Sequence, residues 1–280
     1  MTDENAKAVE NTAKDKDNQP EKIEAPLNAK EEWTEFAKTV TFAIILALII
    51  RTFFFEPFNI PSGSMKPTLL VGDYLFVSKP AYGYSKYSFP FGLAPIEGRI
   101  WEKKPKRGDI IVFKLPSNPS VDYIKRIVGM PGDEVQVITG RLYINGEQVK
   151  REVMPLVRIY EGGEHVTLNQ YKEYLPGGAV HRIYEEGDYR PLDDTPLFKV
   201  PENHYFVMGD NRDNSQDSRV QSLVGFVPLE NIVGRADFLF FSVEEDSSFF
   251  EFWRWPWTIR FKRLFMDLDP VRLSESSDPQ

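Results

Sequence analysis

The sequence predicts a mainly β protein: an antiparallel-sheet domain carried on one N-terminal membrane-spanning helix. Three observations predict it. Beyond Pro57 the apolar residues fall in short alternating runs, broken by Gly, Pro, Asn and Asp. Between Phe58 and Ser242 no long helical periodicity appears. The most apolar stretch, TVTFAIILALII at 39–50, lies near the N-terminus.

The chain of 280 residues is long enough to bury a large core. A net charge of −8 and a pI near 5.1 argue against nucleic acid as a partner, because neutralising phosphates takes clustered Lys and Arg. With no cysteine, disulfides, Cys-based metal sites and a thiol nucleophile are excluded. Three histidines leave little room for a His-based metal site or triad, and His165, His181 and His204 lie apart from the motifs below.

Taken in order, residues 1–35 read as a polar, acidic, disordered cytoplasmic tail, too poor in apolar side chains to offset its ordering entropy. Residues 36–55 read as the transmembrane anchor: twenty residues with only Lys38 and Arg51 charged, against the roughly 20 a bilayer requires. A buried core helix and a cleaved signal peptide are the alternatives; the latter is disfavoured by the long charged leader. Lysines are denser before this stretch (Lys22, Lys30, Lys38) than just after it, which favours a cytoplasmic N-terminus.

Residues 56–150 form the first part of a β core. The phrases GDYLFV, GDIIVF and GDEVQVI recur at Gly72, Gly108 and Gly132, each a Gly-Asp turn feeding a strand. Within this part, 82–106 is an extended loop or hairpin. Residues 151–199, rich in Gly, Tyr, Glu and Pro, read as a variable β subdomain or insertion. The core resumes at 200–243. From 244 to 280 runs an aromatic-basic tail, and its FFEFWRWPWTIRFKRLFM (249–266) suits either a membrane–water interface or a core edge covered by Arg stems.

Three segments carry chemistry. In FNIPSGSMKPTL (58–69), Pro61 and Gly63 flank Ser62 and present Ser64 at a sharp turn, where a hydroxyl and a backbone N–H lie in one loop. Alone, Pro-Ser-Gly-Ser is an everyday turn. In VDYIKRIV (121–128), strand alternation puts Lys125 on one face with Val121, Tyr123 and Ile127. A lysine among apolar groups loses hydration of its charged form and becomes a base near neutral pH; otherwise it snorkels at a strand edge. MGDNRDNSQDSR (208–219) lacks the spacing and central Gly of an EF-hand loop and reads as a rigid polar turn.

Together and in this order, EPFNIPSGSMKPTL, RGDIIVFKLP, DYIKRIVGMPGD, GDNRDNSQDSR and GFVPLENIVGRA resemble the conserved boxes of bacterial type I signal peptidases, membrane-bound Ser/Lys proteases. The resemblance covers about 51–242. It implies the signal-peptidase-like β fold, and removal of signal peptides from secreted preproteins after small residues, as in Ala-x-Ala. It implies Ser64 as nucleophile and Lys125 as general base, with Ser62 Oγ and the Ser64 N–H as oxyanion hole. Ser215 is implied to orient Lys125, supported by an Asp217–Arg219 ion pair. Phe58, Ile60, Met65, Leu69, Val112, Tyr123 and Ile124 are implied around shallow substrate pockets. No cofactor and no metal are expected. Implied partners are signal peptides, the phospholipid bilayer and the secretion translocon, with no nucleic acid. The implied location is the bacterial cytoplasmic membrane, single-pass, with the catalytic domain on the outer face. Enteric-type members carry two transmembrane segments and a larger second domain, where this chain shows one segment and a shorter insertion. A self-cleaving Ser/Lys protease of the SOS-repressor type and an inactive membrane-anchored binding protein are the competing readings.

Overall fold

The computed structural model describes residues 29–89, 95–161, 164–245, 247 and 249–272. Helix α1 spans Ala29–Phe53. Strands follow as β1 (Phe55–Asn59), β2 (Asp73–Ser78), β3 (Tyr84–Ser85), β4 (Arg99–Ile100), β5 (Ile110–Leu115), β6 (Asn118–Gly129), β7 (Glu134–Ile138), β8 (Arg141–Ile144) and β9 (Glu147–Gln148). Then come β10 (Lys150–Glu161), β11 (Glu164–Tyr174), β12 (Ala179–Glu185), β13 (Phe198–Lys199), β14 (His204–Met208), β15 (Val227–Pro228) and β16 (Ile232–Ser242). A short α2 (Trp255–Thr258) and β17 (Val271–Arg272) end the described chain.

The main sheet is antiparallel and ordered β1-β2-β16-β5-β6-β14-β15. Alternation sets its faces: Leu75 and Val77 of β2 are buried with Val112, Val233 and Leu239, while Tyr74 and Phe76 lie on the opposite, half-exposed face. Three smaller sheets accompany it, β13-β7-β8-β9, β10-β11-β12-β17 and the two-stranded β3-β4. Among the described residues no α-helix lies between Phe58 and Ser242, as the missing periodicity predicts.

The recurring Gly-Asp turns share one device. Each glycine has a left-handed φ (87° to 91°), and each aspartate carboxylate accepts the backbone N–H three residues back. The pairs are Asp73 with Leu70 (2.7 Å), Asp109 with Lys106 (2.9 Å) and Asp133 with Met130 (2.6 Å).

Two boundaries differ from expectation. The helix begins at Ala29, inside the stretch read as polar tail, because good helix formers and a 2.7 Å Glu35–Lys38 ion pair extend it. The rest of that tail, 1–28, lies outside the described residues. The helix ends at Phe53 rather than at 55, because Phe55 pairs with Ser78 as the first residue of β1. Its apolar span, Glu32–Phe53 with mean hydropathy 1.8, is long enough to cross a membrane.

The 151–199 segment is more than an inserted module. Its last strand, β13, pairs with β7, and Tyr184 of β12 donates its N–H to Asp210 O at 2.9 Å. At 249–266 the cations divide. Arg263 hydrogen-bonds Asp73 Oδ1 (3.1 Å) and Thr68 O (2.9 Å), and Arg260 reaches Val71 O (2.9 Å). These two are the stems covering a core edge, while Trp253, Trp257 and Phe261 stay exposed.

Candidate active site

Ser64 lies in a single 3₁₀ turn, Gly63–Met65, just after β1. Such a turn leaves its first N–H groups without intrahelical partners, which frees the Ser64 N–H for a ligand. The turn is pinned by the 208–219 loop: Asn211 N donates to Ser64 O (3.1 Å) and Asn211 Nδ2 to Gly63 O (3.2 Å). Met65 is fully buried beneath it and anchors the turn in the core.

Lys125 arrives from the middle of β6, paired with Ile111 of β5. Its Nζ lies 2.7 Å from Ser64 Oγ and 2.9 Å from Ile124 O. Only 3% of the residue is exposed. Burial pushes the ammonium down from 10.5 to about 8, against Asp217 and Asp210, which raise it. Ser62 Oγ stands 3.3 Å from Ser64 Oγ on the exposed side of the turn.

Asp217 is saturated by donors. It accepts from Ser215 Oγ (2.7 Å), Gly209 N (3.0 Å), and Arg219 Nε (2.8 Å) and Nη2 (2.9 Å). Burial alone would raise its pKa, yet Arg219 and these bonds hold it below the usual carboxylate range. The sequence-based role for Ser215 is therefore modified: its hydrogen goes to Asp217, and the bonds Lys125 makes are to Ser64 and Ile124. A carboxylate is the stronger acceptor, so the hydroxyl turns toward it. Gly209 is the spacer that lets these pieces meet. A Cβ there would lie 2.3 Å from Ser215 Oγ and 2.5 Å from Ser64 O.

Behind the loop is a second ionic layer. Arg126 binds Asp210 through Nε (2.8 Å) and Nη2 (2.7 Å), and Arg212 pairs with Glu173 of β11. Thus the β10–β12 sheet buttresses the loop, which its sequence gave no sign of doing.

A cleft of about 720 Å³ opens over Ser64 and Lys125. Its lining comes from Pro61–Ser62, the Val121–Ile124 stretch of β6, the Arg190–Leu192 loop and Asp213–Gln216. Of the seven expected pocket residues, Tyr123 and Ile124 line this cleft. Ile60, Met65, Leu69 and Val112 are buried in one core cluster, with Phe58 packed against it. These five pack in or against the core and do not line the cleft; Met65, for one, is turned inward by the 3₁₀ turn that carries Ser64. Arg190–Leu192 was missed, since only tertiary contact brings that loop to the dyad. Among the described residues no cluster of His, Asp and Glu could hold a metal ion.

A serine hydroxyl hydrogen-bonded to a buried lysine that ionises near neutrality, at the floor of a peptide-sized cleft, is the chemistry of histidine-independent serine hydrolases. Residues 33–241 match the family model described as signal peptidase, peptidase S26. The chain is 44% identical over 224 residues to signal peptidase I of Rickettsia conorii, covering 77% of this chain and 81% of that protein. It is 42% identical over 230 residues to the enzyme of Rickettsia prowazekii, covering 79% and 84%. A crystal structure of a signal peptidase I from Enterococcus faecalis aligns at 30% identity over 48% of this chain and 97% of that one, with a TM-score of 0.27. The chain belongs to the S26 signal peptidase family and is a serine endopeptidase.

Proposed function

We propose that this enzyme removes N-terminal signal peptides from preproteins, cutting after small residues in an Ala-x-Ala pattern, with Ser64 as nucleophile and Lys125 as general base. The observation that carries the proposal is the 2.7 Å contact between Lys125 Nζ and Ser64 Oγ in a site where the lysine ionises near 8. Neutral Lys125 takes the hydroxyl proton as Ser64 Oγ attacks the scissile carbonyl. The oxyanion is met by the Ser64 N–H and Ser62 Oγ. The tetrahedral adduct collapses as Lys125 gives its proton to the leaving amine, freeing the mature N-terminus. Lys125 then deprotonates a water, which attacks the acyl-serine ester and releases the signal peptide with its new carboxylate.

Toward the end of β6 that holds Asn118–Lys125, the partner strand is β5 alone, while β14 pairs only with Arg126–Gly129. That open edge suits an extended peptide added as a strand. Tyr123 and Ile124 crowd the cleft there, favouring small side chains on the residues that face them. Ser215, Asp217 and Arg219 fix the loop that keeps Ser64 and Lys125 together. Helix α1 anchors the enzyme in the cytoplasmic membrane with its N-terminus in the cytoplasm and the catalytic domain outside, near the translocon that delivers preproteins.

The test is cleavage of a purified Ala-x-Ala preprotein by detergent-solubilised wild type, Ser64→Ala and Lys125→Ala, sequencing the product's new N-terminus. Cleavage after the second Ala by wild type alone is expected. Turnover by a folded Lys125→Ala enzyme would remove the lysine from the mechanism.

A further inference from the structure

The lining of the cleft is of two kinds. One is the edge of β6 at Val121–Ile124, open because β14 pairs only with Arg126–Gly129. The other comes from loops: Arg190–Leu192, Asp213–Gln216 and Val220. The open edge ends one residue past Lys125, where β14 joins β6. A peptide laid on that edge as an added strand therefore leaves it at the dyad. Its two halves, before and after the scissile bond, meet different surfaces. The strand edge takes one half, and the loops are what the cleft offers the other.

The 190–192 loop is a fixed turn. Asp193 N donates to Arg190 O (3.0 Å) and Arg190 N to Asp193 Oδ2 (2.6 Å). This closes a four-residue turn with Pro191 at its second position, where a fixed φ suits it. Asp193 is buried, and its carbonyl accepts Gly140 N (3.0 Å). Beside it, Thr139 N donates to Asp194 Oδ1 (2.8 Å) and Val137 N to Thr195 Oγ1 (3.0 Å), which ties the turn to the β7–β8 hairpin. Glu186 N donates to Asp213 Oδ2 (2.6 Å), so one loop of the cleft is fastened to the other.

Leu192 holds the third position of this turn, where Gly, Asn, Asp or Ser is usual. It is half-buried, yet it belongs to none of the three core clusters of the described residues, and the same is true of Val220. Both line the cleft. Two apolar side chains that serve no core, in a cleft that holds a peptide, mark a place for an apolar side chain of that peptide.

We infer that Leu192 and Val220 form a subsite for the mature side of the preprotein, taking an apolar side chain at the second or third residue after the cut. The inference rests on the reading above that the signal-peptide residues lie along β6, which leaves the loops to the residues beyond the scissile bond. Small side chains are thus read before the cut and an apolar one after it. Burying half of a leucine side chain is worth about fivefold in affinity, so leucine there should raise kcat/KM about fivefold over serine.

The test uses the full-length enzyme in detergent and peptides identical through Ala-x-Ala. After the cut they carry serine at the first four positions, or leucine in place of one of the four. Wild type should cleave the peptides with leucine at the second or third position with about fivefold higher kcat/KM than the all-serine peptide. Leu192→Ser should bring that ratio to about one, and Leu192→Met should keep it. Val220→Ser should lower it as well, so the result does not hang on the folding of one variant. Each ratio is taken within a single enzyme, and a slow or partly unfolded variant still yields it. A wild-type ratio near one at every position, or a fivefold ratio that survives Leu192→Ser, overturns the subsite, while cleavage after the second Ala leaves the peptidase reading standing. If Leu192→Ser instead changes which residue is accepted at x of Ala-x-Ala, the loop serves the signal side and the inference fails. No cleavage of any peptide by folded wild type overturns both.

Discussion

Two lysines of this enzyme are equally deep and opposite in character. Lys79, at the end of β2, is 2% exposed, and its Nζ reaches Glu56 Oε2 at 3.0 Å and Ser88 O at 2.6 Å. Lys125 is 3% exposed and meets a hydroxyl and a carbonyl instead. Burial lowers both pKa values, but Glu56 pulls that of Lys79 back, whereas Asp217 and Asp210 act on Lys125 from a distance and leave it near 8. Depth alone does not make a base. What distinguishes the site is a buried lysine whose nearest carboxylate, Asp217, is already occupied by Arg219.

The largest effects should separate the two. Lys125→Met should cut turnover by at least about 10³-fold while the protein stays folded, because no other group takes the Ser64 proton. Lys79→Met should instead leave the half-buried Glu56 with the exposed Arg51, 3.0 Å away, as its remaining ion-pair partner, and cost about 1–3 kcal/mol of stability, read as a lowered Tm in detergent. Folded Lys79→Met should cleave at the wild-type rate; a comparable loss in both variants would erase the contrast.

Next, the same Lys125→Met substitution should raise Tm. A lysine whose pKa is lower in the fold than in the unfolded chain costs stability: the buried ammonium carries the cost in full below about 8, and the cost vanishes as pH rises past 10.5. The gain should therefore be on the order of 1–3 kcal/mol below pH 8 and disappear above 10.5. A pH-independent difference would mean that packing, not charge, produces it.

Third, wild-type kcat/KM should rise with pH through an inflection near 8 as Lys125 loses its proton. Asp217 raises that pKa, so Asp217→Asn should move the inflection to lower pH in whatever fraction remains folded. An alkaline shift would contradict the electrostatic assignment.

The smallest effect is expected from Ser215→Ala. Because Ser215 spends its hydrogen on Asp217, its loss should lower kcat about five- to tenfold with KM little changed. A thousandfold loss would show that Ser215 grips Lys125 directly during turnover.

Much of this was legible in the residues. The β-branched and aromatic runs at Asp73–Ser78 and Ile110–Leu115 gave the strands, and the Gly-Asp phrases gave their turns, because both are local chemistry. Ser64 and Lys125 could be proposed as the dyad because each lies in a long box that resembles the family's. The end of the anchor could not be read, since Phe54 and Phe55 are as apolar as the helix before them and only pairing with β2 decides the matter. Arg190–Leu192, Glu173 and Lys79 were invisible for a related reason. Their roles come from partners on other elements, such as Arg212 pairing with Glu173, and no local pattern marks them. For 249–266 the sequence left two readings open for the same reason, and Arg263, turned inward to Asp73, decides for the core edge at that residue.

Gly209 has a practical consequence. Because a single methyl there would collide with both Ser215 Oγ and Ser64 O, Gly209→Ala would act as a wedge, prising the Ser64 turn off its supporting loop without removing any reacting atom. Such an enzyme would keep its hydroxyl, its amine and its cleft and still be idle, an inert decoy for trapping an uncut preprotein in the groove.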